Sequence, residues 1–146
     1  MTEKIVVAYD GSENAHNAVN FALDVAKAKG ATLIVAHVLE WSPYSFLTKT
    51  EIEERHMRRK EELERADKAI VSPLLKELQT SGVEVEVLVK YGHTAETLLA
   101  IVKESGAKQL VIGRTGQSSI STRLFGSVAG TLAQAAPVAV TIVPQQ

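Results

Sequence analysis

The chain has 146 residues, 45% of them apolar and 23% charged, with a net charge of −1 and no cysteine. That profile suits one globular domain able to bury a core without covalent staples. It excludes disulfides and thiolate metal sites, and it offers no broad basic surface for nucleic acid.

No apolar run approaches the ~18 residues that a membrane span needs. Met-Thr-Glu-Lys leads into a strand pattern instead of a signal peptide. A cytoplasmic protein is therefore expected. Ile5 to Tyr9 is a continuous apolar run, the signature of a strand buried on both faces and central in a parallel sheet. It stops at Asp10-Gly11-Ser12, a turn with Ser12 placed to cap a helix. Residues 12–29 follow with Ala15, Val19, Ala22, Leu23 and Ala26 at helical spacing, and Gly30 is the stop.

The second strand runs from Thr32 to Leu39. Residues 40–50 have no period and carry Trp41 and Phe46. They read either as a flap over a site or as a loop whose aromatics pack under the next helix. Residues 51–80 are helical and charged, with Glu51/Arg55, Glu54/Arg58 and Glu61/Arg65 as i, i+4 pairs, acid first. Ile52, Leu63, Ala66, Ile70, Leu74 and Leu78 form the buried stripe. At Ser72-Pro73 the helix either kinks or restarts, with Ser72 as cap and Pro73 at the first position.

Val83 to Lys90 is the third strand. Its exposed charges suit a sheet edge, and Tyr91-Gly92 is expected to turn the chain. Residues 94–104 form a helix stopped by Gly106, 108–113 the fourth strand, 127–135 a helix, and Val138 to Val143 the fifth strand. Alternating strands and helices predict an α/β fold: a doubly wound, five-stranded parallel sheet in three layers, with helices on both faces. The pattern by itself permits the order 3-2-1-4-5 and also 2-1-3-4-5.

Between the fourth strand and the last helix, two residues separate Gly113 from Gly116, and nine residues separate Gly116 from Gly126-Ser127. The intervening loop is rich in serine and threonine and holds no acidic residue before Arg123. Glycines let main-chain N–H groups approach a ligand, and a helix start presents unpaired donors at the positive dipole end. The combination suits a phosphate cradle; a surface loop capped by Ser127 has the same composition.

Gly-x2-Gly-x9-Gly-Ser after the fourth strand resembles the ATP-binding signature of the universal stress protein family. So do Leu124 to Ala129 and Ala136 to Val140, and the resemblance spans Ile5 to Val143. It implies the order 3-2-1-4-5. In that order the first and fourth strands are neighbours and the winding reverses between them, opening a crevice at their C-terminal ends. Asp10 and Gly113 then meet there, with Asp10 placed to accept from ribose hydroxyls or a purine amine. Read alone, Asp10 is also an ordinary turn residue. The resemblance further implies that Val38 lines an adenine pocket with its backbone, and that Gly113, Gly116, Gly126, Ser127, Val128 and Ala129 surround ribose and phosphates. Some members carry threonine at the position of Ala129, so one hydroxyl contact is missing here. Arg114 and Arg123 lie within reach of phosphate, although exposed arginine is the plainer reading of each. Magnesium would enter with ATP, ADP or AMP, held mainly by phosphate oxygens; no protein metal site is expected.

The chain has no Gly-x4-Gly-Lys-Ser/Thr loop, no Gly-x-Gly-x-x-Gly after the first strand and no Gly-x-Ser-x-Gly elbow. His16, His37, His56 and His93 share no metal spacing; His37, inside the second strand, reads as a hydrogen-bonded core residue. A phosphoacceptor receiver domain has related topology but wants an aspartate where Lys90 ends the third strand. No nucleophile or general base stands out, so the expected protein is a nucleotide-binding regulatory module with an unknown protein partner. The alternatives are a slow ATP hydrolase and an interaction protein with a vestigial loop. The uncharged edge strand 138–143 invites pairing with a second copy, as the family does, so a homodimer is expected.

Overall fold

The computed structural model describes residues 3–40, 57–58, 60–61, 63–65, 67–114 and 127–144. The aromatic loop with Trp41 and Phe46, the pairs at Glu51 and Glu54, His56, and the stretch with Gly116, Arg123 and Gly126 lie outside the described residues.

Strand β1 (Lys4–Ala8) leads to helix α1 (Glu13–Lys29) and strand β2 (Thr32–Glu40). The described residues among 57–65 are helical, and a π-helical turn, Asp67–Val71, leads into α2 (Ser72–Leu78). Strand β3 (Val85–Gly92), helix α3 (Thr94–Ser105), strand β4 (Gln109–Gly113), helix α4 (Ser127–Ala135) and strand β5 (Ala139–Val143) complete the chain. All neighbouring strands are parallel, in the order β3-β2-β1-β4-β5. The expected fold is the observed one, and of the two orders the pattern permitted, the structure takes 3-2-1-4-5.

The apolar runs exist because the sheet is buried twice. Ile5, Val7, Leu33, Val35 and Val111 pack against Ala18, Val19, Ala22 and Ala26 of α1 and Leu74 and Leu78 of α2. Val6, Ile34, Ala36, Leu110 and Ile112 face the other way, onto Leu98, Ile101 and Val102 of α3 and Leu132 of α4. The small alanine stripe lets α1 lie close to the sheet. Ser12 caps α1 as expected, its Oγ accepting from the Ala15 N–H at 3.1 Å. Gly30 closes the helix in the left-handed conformation, φ 65°.

One expectation needs correction, and one pair of alternatives is narrowed. Tyr91 and Gly92 do not turn the chain; they are strand residues, opposite Leu39 and Glu40. Strand β2 extends to Glu40, so β3 has main-chain partners for two more residues. Gly92 fits there because a Cβ would come 2.7 Å from Thr97 Oγ1. Of the two readings at Ser72-Pro73, the restart capped by Ser72 is not taken: Val71 before it is already helical (φ −83°, ψ −44°) and no side-chain cap bond forms. The helix continues through Pro73. A proline ring collides with the carbonyl four residues back, and the wider π turn immediately upstream is where the helix absorbs that clash.

Candidate functional site at the sheet switch point

The winding reverses between β1 and β4, and the two strands end side by side. Val7 lies opposite Val111, so Asp10 and Gly113 follow within three and two residues of a shared register. Asp10 is half-buried, and its Oδ1 accepts the Ser12 N–H at 2.9 Å. Turn formation and helix capping thus run consecutively from Asp10 to Ser12 to Ala15, and the plain role of Asp10 as a turn residue is present.

Gly113 is buried against α1. A Cβ on it would stand 3.0 Å from Asn14 Cγ and 3.2 Å from the Asn14 carbonyl oxygen. Packing against a buried asparagine therefore favours glycine at 113, whether or not a ligand approaches, because a Cβ would fit only if Asn14 gave way by a few tenths of an ångström. Asn14 Nδ2 donates to the Val143 carbonyl at 3.2 Å, and the Arg114 N–H donates to the same oxygen at 2.9 Å. One carbonyl at the end of β5 thus holds both α1 and β4. Sequence reasoning passed over Asn14; its signal was a polar residue on the buried stripe, at helical spacing from Ala18 and Ala22.

Arg114 is half-exposed, and its Nε is buried without a hydrogen-bond partner among the described residues. Val38 is half-buried, packs on the core shared with α3 and α4, and pairs with Lys90. Ser127 opens α4. Ala129 is buried and Val128 packs against the core, so their side chains serve the fold and their main-chain N–H groups are what the helix start has to offer. Gly116 and Gly126, the other two glycines of the motif, lie outside the described residues.

On the α1 face of the same sheet end, Tyr9 meets His16 edge-on, with ring centroids 6.5 Å apart, and His16 Nε2 lies 3.5 Å from Glu77 Oε2. Burial, then the Glu77 and Asp10 carboxylates, push the Tyr9 phenol above its ordinary 10.0. His37 is buried as expected, with Nδ1 2.6 Å from the Tyr9 carbonyl. His93 occupies the N-cap of α3, its carbonyl accepting from the Thr97 N–H at 2.9 Å, but its side chain makes no capping bond. Among the described residues no group of three or more His, Asp or Glu is placed to hold a metal ion.

The family model for the universal stress protein family matches residues 1–144. The chain belongs to that family. A universal stress protein of Thermus aquaticus is 33% identical over 144 residues, 98% of this chain and 99% of the relative. UspA from Lactobacillus plantarum has the same fold, with a TM-score of 0.82 at 23% identity over 97% of each chain. A universal stress protein solved in complex with cAMP superposes with a TM-score of 0.69 at 26% identity, over 97% of this chain and 95% of its own. No helix among the described residues of this universal stress protein is long and apolar enough to cross a membrane.

Proposed function

We propose that this universal stress protein binds an adenine nucleotide at the C-terminal ends of β1 and β4, as a regulatory module and not as a fast enzyme. The observation that carries this reading is the β2-β1-β4 adjacency, which sets the Asp10 turn beside Gly113, where parallel α/β sheets take their ligands. The related protein solved with cAMP supports the ligand class. In this reading Asp10 accepts from ribose hydroxyls and the Val38 backbone borders the purine. Gly113, Gly116, Gly126, Ser127, Val128 and Ala129 supply main-chain donors to ribose and phosphate, and Arg114 adds charge. The nucleotide is ATP, or its products ADP and AMP. A loop of glycine, serine and threonine is a donor set for an anion, so Mg²⁺ would be held by phosphate oxygens and water. Binding regulates only if two conformations take the nucleotide unequally. The protein works in the cytoplasm as a homodimer, with β5 of one copy covering β5 of the other.

Because Asn14 already crowds any side chain at 113, a substitution there would be ambiguous, and the diagnostic glycine is Gly116. Calorimetric titration with ATP, with and without Mg²⁺, is expected to give saturable binding that Gly116→Val abolishes. Unchanged affinity in that variant would refute the phosphate cradle. Nucleotide released on denaturation and identified by mass spectrometry separates this reading from a vestigial loop, and timed phosphate release separates it from a hydrolase.

A further inference from the structure

We propose that His37 is a positioning residue, whose imidazole holds the peptide that delivers Asp10 to the crevice. The register of β1 with β2 runs to Ala8 opposite Ala36, and the Tyr9 N–H donates to the Ala36 carbonyl at 2.9 Å. Beyond that bond the two strands are linked by a side chain. His37 Nδ1 lies 2.6 Å from the Tyr9 carbonyl oxygen. A carbonyl only accepts, so Nδ1 carries a proton and donates it. The Tyr9 residue is thus held at both of its polar main-chain atoms.

The Tyr9 carbonyl and the Asp10 N–H belong to one planar peptide unit. Fixing the carbonyl fixes the orientation in which the chain enters Asp10. From there the hydrogen bonds continue through Asp10 Oδ1 to the Ser12 N–H and through Ser12 Oγ to the Ala15 N–H, into the first turn of α1. The same turn carries Asn14, which packs on Gly113. The imidazole therefore stands at the head of a hydrogen-bonded path from β2 to both sides of the crevice.

Packing does not explain the choice of histidine. His37 is 4% exposed, and its Nε2 is buried with no hydrogen-bond partner among the described residues. An apolar side chain would fill that space without leaving an orphaned ring nitrogen, a cost the fold bears for the bond at Nδ1. His37 sits beside Val38, so the residue that sets Asp10 adjoins the residue assigned to the purine.

The consequence for ligand affinity rests on the nucleotide-binding reading; the consequence for the turn does not. The test compares His37→Asn, His37→Gln and His37→Leu in the full chain. The asparagine amide nitrogen falls where Nδ1 lies, the glutamine amide reaches toward Nε2, and leucine has no donor. Amide exchange at Ser12 in the free protein is expected to rise about tenfold in the Leu and Gln variants, the scale of one hydrogen bond, and to stay near wild type in Asn. ATP affinity is expected to follow the same order, falling about tenfold in Leu and Gln. Global stability by urea should follow lost volume instead, with Asn the least stable. Wild-type exchange at Ser12 in the Leu variant would overturn the proposal, as would exchange and affinity that simply track global stability. If the wild-type chain bound no ATP, the functional reading would fail and the exchange data would still decide the role of His37.

Discussion

Asn14 and Gly113 show how a glycine in a motif can have a second employer. The side chain that would crowd a Cβ at 113 also ties α1 to the end of β5 through Val143. Gly113→Ala is expected to cost about 1–3 kcal/mol by overpacking. Asn14→Ala is expected to cost about 1–2 kcal/mol by leaving the Val143 carbonyl one donor short. Because the two residues touch, the double variant should be less destabilised than the sum of the singles; urea melts of all four proteins measure the coupling, and strict additivity would count against the contact. Tyr9 supplies a pH dependence. Burial, Glu77 and Asp10 raise its folded value above 10.0, so the fold favours the neutral phenol. That stability is fully present below the unfolded value and is lost as pH rises through the folded one. Urea midpoints taken from pH 8 upward should fall at the alkaline end, and Tyr9→Phe should remove part of the fall.

Among the elements, those with local signals were legible. The Ser12 cap, the Gly30 and Gly106 stops and the α4 limits follow from residues within a turn of each end. Ser12→Ala is expected to cost about 1 kcal/mol in urea unfolding. It should also loosen the Asp10 turn, since Ser12 is bonded on both sides. Elements whose ends depend on a neighbour were misread. Strand β3 gains Tyr91 and Gly92 because β2 is long enough to pair with them, and no residue in 83–92 announces the length of β2. At Ser72-Pro73 the sequence allowed a kink or a restart. The helix persists because Leu74 and Leu78 of α2 and Val71 before it are all buried, and a break would expose them.

At the scale of the whole molecule, the sheet has two edges of opposite character. Edge β3 carries Glu86 and Lys90 outward, while β5 (Ala-Val-Thr-Ile-Val) has no charge. An uncharged edge is open to strand pairing unless covered, which supports the proposed dimer. Sedimentation at micromolar concentration should give a dimer. Ala139→Lys, at an exposed position of β5, should shift it toward monomer by setting like charges across the two-fold axis. A monomeric wild type would refute the interface.

The chain alone determined the alternation of strands and helices, the double burial of the sheet and most helix ends, because periodicity and capping act over a few residues. Tertiary structure decided the strand order between two candidates, the reason for glycine at 113, and the partners of Asn14 and His37. Those contacts join residues 129 and 28 positions apart. Their energies depend on which strand ends lie side by side, which no local pattern encodes.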